Sequence, residues 1–256
     1  MTSAPRGLTA STDLTLGGRW TSLRLAGREW LWSRPDPARA SVRPGDSFVD
    51  VGGLEECIPT VRGVPDHGAA WSQAWRRVGD EDVVTCDDFV LRRRLTVDSG
   101  VTASYRIEAP PGYRFLWAAH TTVDVSPAAH LVLPHGAPTR VYPDDGPSYV
   151  DDAWPAGNLD RLGPDDGTAV GAVVVGASAV GVVDGARLDL RLEADAPTAV
   201  AIWRNLGGWP AGQPYRSVGV EPMLGAVFDL ATAGPDDAAT VPVSGHLEWR
   251  LDVRAG

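Results

Sequence analysis

Two histidines and one glutamate stand in surroundings suited to proton transfer: His67 in Pro65-Asp66-His67-Gly68, His120 in Leu116-Trp117-Ala118-Ala119-His120, and Glu221 in Val218-Gly219-Val220-Glu221-Pro222. An ionised carboxylate only accepts hydrogen bonds, and an imidazole with an ordinary pKa of about 6.5 exchanges protons near neutrality. The three can therefore supply a base, an acid and a helper. Each also has a structural reading. His120, flanked by alanines and a threonine, fits a satisfied core histidine, and His67 fits a turn residue paired with Asp66. Glu221 is harder to explain structurally, because a buried acid demands a partner such as Arg216.

The elements that must position these groups are strands. Short runs rich in Val, Leu, Thr, Tyr and Trp recur between clusters of Gly, Pro, Asp and Asn, the pattern of an all-β chain. Strands are expected at Leu14 to Leu16, Trp20 to Leu25, Val83 to Thr85, Phe89 to Val97, Val101 to Ile107, Phe115 to Val125, Val170 to Val183, Leu188 to Leu192, Ala199 to Arg204 and Leu247 to Val253. In Leu91 to Val97 the alternation puts Leu91, Arg93, Leu95 and Val97 on one face. Pro134 to Gly167, with six prolines and the acid pairs Asp144-Asp145, Asp151-Asp152 and Asp165-Asp166, reads as a long irregular excursion able to wall a cleft. At 256 residues, a single domain over residues 1–256 is expected.

Bulk properties narrow the function. A net charge of -10 opposes nucleic acid and anionic membranes as partners. All 23 basic residues are arginine, and those at 76, 77 and 92 to 94 read as solvated or acid-paired rather than as a phosphate site. The apolar stretch Ala169 to Val183 is shorter than a membrane span of about 20 residues and is broken by glycines, so two buried strands joined at Gly176-Ala177-Ser178 explain it. Met1 to Gly18 lacks the features of a secretory signal, and Cys57 and Cys86 read as reduced thiols, so a cytoplasmic protein is expected. No metal motif, Gly-x-Ser-x-Gly elbow or phosphate-binding glycine loop occurs, and no cofactor is expected.

Several segments, in order along nearly the whole chain, resemble the aldose 1-epimerase (galactose mutarotase-like) family. They are Leu16 to Leu23 followed by Gly27 to Trp32, Gly52-Gly53-Leu54-Glu55-Glu56-Cys57-Ile58-Pro59-Thr60, Pro65 to Ser72, Phe115 to His120, and Val218 to Pro222. The resemblance implies a large antiparallel β-sandwich with few helices, a sugar cleft on one concave face, and an isomerase that interconverts sugar anomers without a cofactor. It implies Glu221 as base, His120 as acid and His67 as their assistant.

Substrate-binding candidates are Asp66, Glu55 and Glu56, Trp117, Arg204, Asn205 and Arg216. One of the two glutamates can reach a cleft while the other is solvated. Trp32, Trp71, Trp117, Trp154, Trp203 and Trp209 are each core or cleft residues. The family's sugar-holding aspartate has no clear counterpart; Asp184, Asp160 or the Trp203-Arg204-Asn205 segment can substitute. The expected partner is a small-molecule carbohydrate, bound by a monomer or homodimer. Two other readings stand beside this one: a non-catalytic carbohydrate-binding protein of the same fold, or the same acid and base serving another reaction at a sugar or cyclic acetal.

Overall fold

Alternating side chains sort these strands into two large sheets, beside one small two-stranded one. The computed structural model describes residues 7–25, 27–143 and 146–256, so the expectations for Met1 to Arg6 and for Asp144-Asp145 lie outside the described residues. A ten-stranded sheet runs in the order Leu8–Asp13, Arg19–Leu25, Gly53–Cys57, Trp117–Val123, Tyr215–Leu224, Thr198–Trp209, Ala169–Val175, Pro138–Tyr142, Val150–Ala153, with Arg28–Glu29 pairing beside Arg19–Leu25. An eight-stranded sheet runs His130–Val132, Ala179–Val183, Arg187–Ala194, His246–Ala255, Val101–Glu108, Val90–Val97, Glu81–Thr85, Arg76–Val78. Neighbouring strands are antiparallel. The helical segments among the described residues are short 3₁₀ turns.

The sheets pack face to face over one large apolar core, to which the larger sheet gives Leu54, Trp117, Val200 and Val220 and the smaller gives Leu91, Tyr105, Leu190 and Leu251. No helix among the described residues is long and apolar enough to cross a membrane.

The strand expectations hold with four corrections. Phe115 to Val125 is interrupted at Leu116: Trp117–Val123 lies in the larger sheet, whereas Arg114–Phe115 pairs with Ala239–Thr240 in a separate two-stranded sheet. Leu14 to Leu16 is a turn, and the first strand is Leu8–Asp13. Ala169 to Val183 does hold two strands, but they belong to opposite sheets, so Gly176-Ala177-Ser178 crosses between layers instead of closing a hairpin. The Pro134 to Gly167 excursion is not wholly irregular: Pro138–Tyr142 and Val150–Ala153 extend the larger sheet.

Within the core lies a charged network. Glu56 accepts from Arg93 Nη1 at 2.9 Å, from the Tyr105 hydroxyl at 2.8 Å and from Trp117 Nε1 at 2.9 Å. Arg93 also donates to Asp82 at 3.1 Å, and Asp82 accepts from Arg77 at 2.6 Å. Glu56 and Trp117 are fully buried here between the sheets, which corrects their assignment as substrate-binding residues. Period-two geometry explains the correction: Trp117 and Ala119 must face the core if Ala118 and His120 face away from it.

Candidate active site

The face of the larger sheet turned away from the core carries the candidate groups. Its central register sets Glu55 opposite His120. On the other side of the Trp117–Val123 strand, the pairs Ala118 with Met223 and Thr122 with Gly219 bracket His120 opposite Glu221. Three titratable side chains from three adjacent strands thus share one row. His120 Nε2 lies 3.7 Å from Glu221 Oε1, near but longer than a hydrogen bond. Above this row sits a small apolar cluster that includes Cys57, Ala118, Met223, Val61 and Phe228. Below it comes a row containing Thr122, Gly219, Trp203 and Gly171.

A cleft of about 370 Å³ opens over these rows, lined by Phe48, Asp50, Arg62, Asp66, His67, His120, Thr122, Trp203, Trp209, Ser217, Glu221 and Phe228, with Ser47, Val61 and Gly63. His67, His120 and Glu221, from segments far apart in sequence, therefore meet on one surface with Asp66.

The Pro65 to Gly68 turn delivers His67. Its backbone is left-handed at φ 55, an unusual state for a residue with a side chain. Gly68 follows at φ 81, where a Cβ would come within 2.0 Å of the Ile58 carbonyl oxygen. The ring stacks on Phe48, centroids 3.8 Å apart, and meets His120 edge-on at 5.2 Å. Nδ1 lies 2.7 Å from Asp66 Oδ1, and the Phe48 N–H donates to Asp66 Oδ2 at 2.8 Å.

Burial pushes the His67 imidazole below its ordinary value despite the Asp66 hydrogen bond. Burial opposes the Asp66 charge, but the hydrogen bonds from His67 and Phe48 hold its carboxyl below the ordinary range. Since that carboxylate can only accept, neutral His67 places its proton on Nδ1 and leaves Nε2 as an acceptor.

The other candidates fall elsewhere. Glu55 shares the row but is buried behind it, held by Arg39 at 2.8 Å. Arg204 faces away from the cleft and donates to the Arg161 carbonyl and to Thr168 and Asp166. Arg216 pairs with Asp165 at 2.9 Å rather than with Glu221. Asn205 is buried: its amide nitrogen donates to the Trp209 carbonyl and Ser217 Oγ, and its oxygen accepts from the N–H groups of Gly208 and Trp209. It braces two lining residues without lining the cleft itself. Asp184 pairs with Arg28 and Ser126 away from the cleft, and Asp160 lies beside Arg161, also outside it.

Sequence reasoning missed Phe48, Asp50, Arg62 and Phe228, which come from irregular segments without periodic signal. Asp50 accepts from the Tyr215 hydroxyl at 2.7 Å. The Arg62 guanidinium lies over the Phe228 ring at 4.5 Å and the Trp203 ring at 5.5 Å. Among the described residues no group of three or more His, Cys, Asp or Glu is placed to hold a metal ion.

Gly219 keeps this arrangement open. A Cβ there would meet Glu221 Oε1 at 2.7 Å and Trp203 Cβ at 3.1 Å, with no positive φ to strain the backbone. Gly219→Ala is expected to leave the fold intact, because the carboxylate end of Glu221 can swing aside, while any reaction that uses Glu221 slows about 100-fold. Circular dichroism together with a rate measurement separates the two effects.

No protein-family model and no curated protein sequence matches the chain. Solved structures do. A provisionally assigned aldose 1-epimerase of Escherichia coli K12 superposes with a TM-score of 0.70 at 12% identity, covering 98% of this chain and 99% of its own. A galactose mutarotase related enzyme of Lactobacillus acidophilus gives 0.68 at 12% identity, covering 100% and 97%. Galactose 1-epimerase of Lactobacillus acidophilus NCFM gives 0.58 at 12% identity, covering 99% and 92%. At such identities the likeness establishes the fold, an antiparallel sandwich shared with these proteins, and leaves the chemistry to the residues.

Proposed function

We propose that the protein is an aldose 1-epimerase-like isomerase that interconverts the α and β anomers of an aldose, with Glu221 as base and His120 as acid. The observation that carries this reading is the 3.7 Å approach of His120 Nε2 to Glu221 Oε1 on the wall of a cleft, in a fold shared with proteins named for this reaction.

Ring opening removes the proton from the anomeric hydroxyl while the bond from that carbon to the ring oxygen breaks and the ring oxygen takes a proton. Glu221 accepts the first proton and His120 Nε2 supplies the second. The aldehyde then turns about its bond to C2, and closure on the other face runs the transfers backwards. His67, with Nε2 as acceptor, orients a sugar hydroxyl, and Asp50 holds another in the manner expected of the carboxylate that the sequence did not place. Trp203, Trp209 and Phe228 offer flat surfaces to the apolar face of a sugar ring. Asp50, Asp66 and Glu221 outnumber Arg62 in charge, which favours an uncharged sugar over a phosphorylated one.

NMR exchange spectroscopy on a panel of hexoses, pentoses and 6-phosphosugars tests the proposal. Wild type is expected to accelerate anomer exchange for at least one neutral aldose, and His120→Asn to lose about 10²- to 10⁴-fold of that rate. No acceleration with any sugar, alongside calorimetric binding, transfers the assignment to a carbohydrate-binding protein. Solvent deuterium entering a carbon position indicates a different reaction.

A further inference from the structure

The row that contains His120 has a third member, which the proposed chemistry leaves unused. Glu55 stands directly across the strand pair from His120, where opposed Cβ atoms lie about 5 Å apart. It is 1% exposed. Its Oε2 accepts from Arg39 Nη2 at 2.8 Å, and Arg39 is itself anchored to the Val49 and Trp71 carbonyls. Glu55 Oε1 is 4.0 Å from Arg19 Nε and has no hydrogen-bond partner. His120 Nδ1 is likewise buried and without a partner, whereas Nε2 is the nitrogen beside Glu221. Two buried, unsatisfied polar atoms of complementary type thus occur on opposed residues of one face, although leaving either unpaired is costly.

We propose that Glu55 is a positioning residue for His120: its Oε1 receives the Nδ1–H, so the imidazole turns Nε2 to the cleft and is left as the Nδ1–H tautomer once the Nε2 proton has gone to substrate. The inference rests on the acid role given to His120 above. The other groups facing His120 are Glu221, which approaches Nε2, and the rings of His67 and Phe48, which meet the imidazole at an angle; Glu55 is the facing carboxylate with an unpaired buried oxygen on the opposed strand. Burial pushes the Glu55 carboxyl up to about 7, with Arg39 opposing that rise, so this acceptor becomes fully charged only above neutrality.

Glu55→Gln makes an asymmetric test. Arg39 can only donate, so it fixes the amide oxygen and turns the amide NH₂ toward His120. A donor then faces Nδ1 where an acceptor stood. Nitrogen-15 NMR of neutral His120, recorded well above pH 7, is expected to find the Nδ1–H tautomer in wild type and the Nε2–H tautomer in Glu55→Gln, with anomer exchange slowed about 10- to 100-fold. The same tautomer in both proteins overturns the inference. If Glu55→Gln does not fold, the wild-type spectrum decides alone, since an Nε2–H tautomer there is equally fatal. The NMR readout needs no substrate: a wild type inactive on every sugar defeats the isomerase reading only, and an active wild type with an unchanged tautomer defeats only the role of Glu55.

Discussion

Under the proposed isomerase reading, Glu221→Gln is expected to lose about 10²- to 10⁴-fold of the anomer-exchange rate while sugar binding persists. Glu221 is 2% exposed, and its Oε2 has no protein hydrogen-bond partner. Its Oε1 is the atom that approaches His120. A buried carboxylate with an open acceptor on a cleft wall is poised to take a proton, whereas the amide offers one neutral acceptor and a donor in its place. Asp50, Asp66, His67 and Arg62 line other parts of the cleft and are untouched, so the loss belongs to turnover. Polarimetry or exchange spectroscopy measures the rate and calorimetry the affinity. Full activity in Glu221→Gln removes Glu221 from the mechanism; lost affinity with an unchanged turnover number makes it a binding group.

The second large effect concerns stability. Arg93→Leu is expected to cost about 3–5 kcal/mol, because it leaves the carboxylates of Glu56 and Asp82 buried with too few donors. For a chain of this size that lowers the melting temperature by roughly 6–20 °C. Asp82 keeps Arg77, but Glu56 keeps only the Tyr105 hydroxyl and the Trp117 indole. Removing both charges, as in Arg93→Leu with Glu56→Leu, is expected to cost less than Arg93→Leu alone, since no unpaired ion is then left at Glu56. Calorimetric melting of the two variants decides this; a double variant melting below the single one shows that packing around Glu56, rather than its charge, dominates.

Much of the site was legible because it lies on strands. His120 and Glu221 occur in short apolar runs, and the unusual turn at His67 is marked by Pro65, Asp66 and Gly68. Alternation also carried information that a composition-based reading passes over. Adjacent Glu55 and Glu56 must face opposite sides of a strand, and Arg216, five residues before Glu221, must face away from it. Arg93 shares its face with buried Leu91 and so sits in the core, while Arg92 and Arg94 on the other face pair with Glu81, Glu108 and Asp80. Phe48, Asp50 and Arg62 were not legible, because non-periodic segments acquire their direction from tertiary contacts. Asp50 reaches the cleft edge through Tyr215, 165 residues away.

The strands that bring His120 and Glu221 together, Trp117–Val123 and Tyr215–Leu224, are hydrogen-bonded neighbours although nearly a hundred residues of chain separate them. During synthesis, the ribosome must therefore release most of the polypeptide before His120 can meet Glu221. A nascent chain that ends before Tyr215 has His67, His120 and Glu55 but not Glu221, so neither a shortened translation product nor a proteolytic fragment from that half is expected to carry the proposed acid and base together.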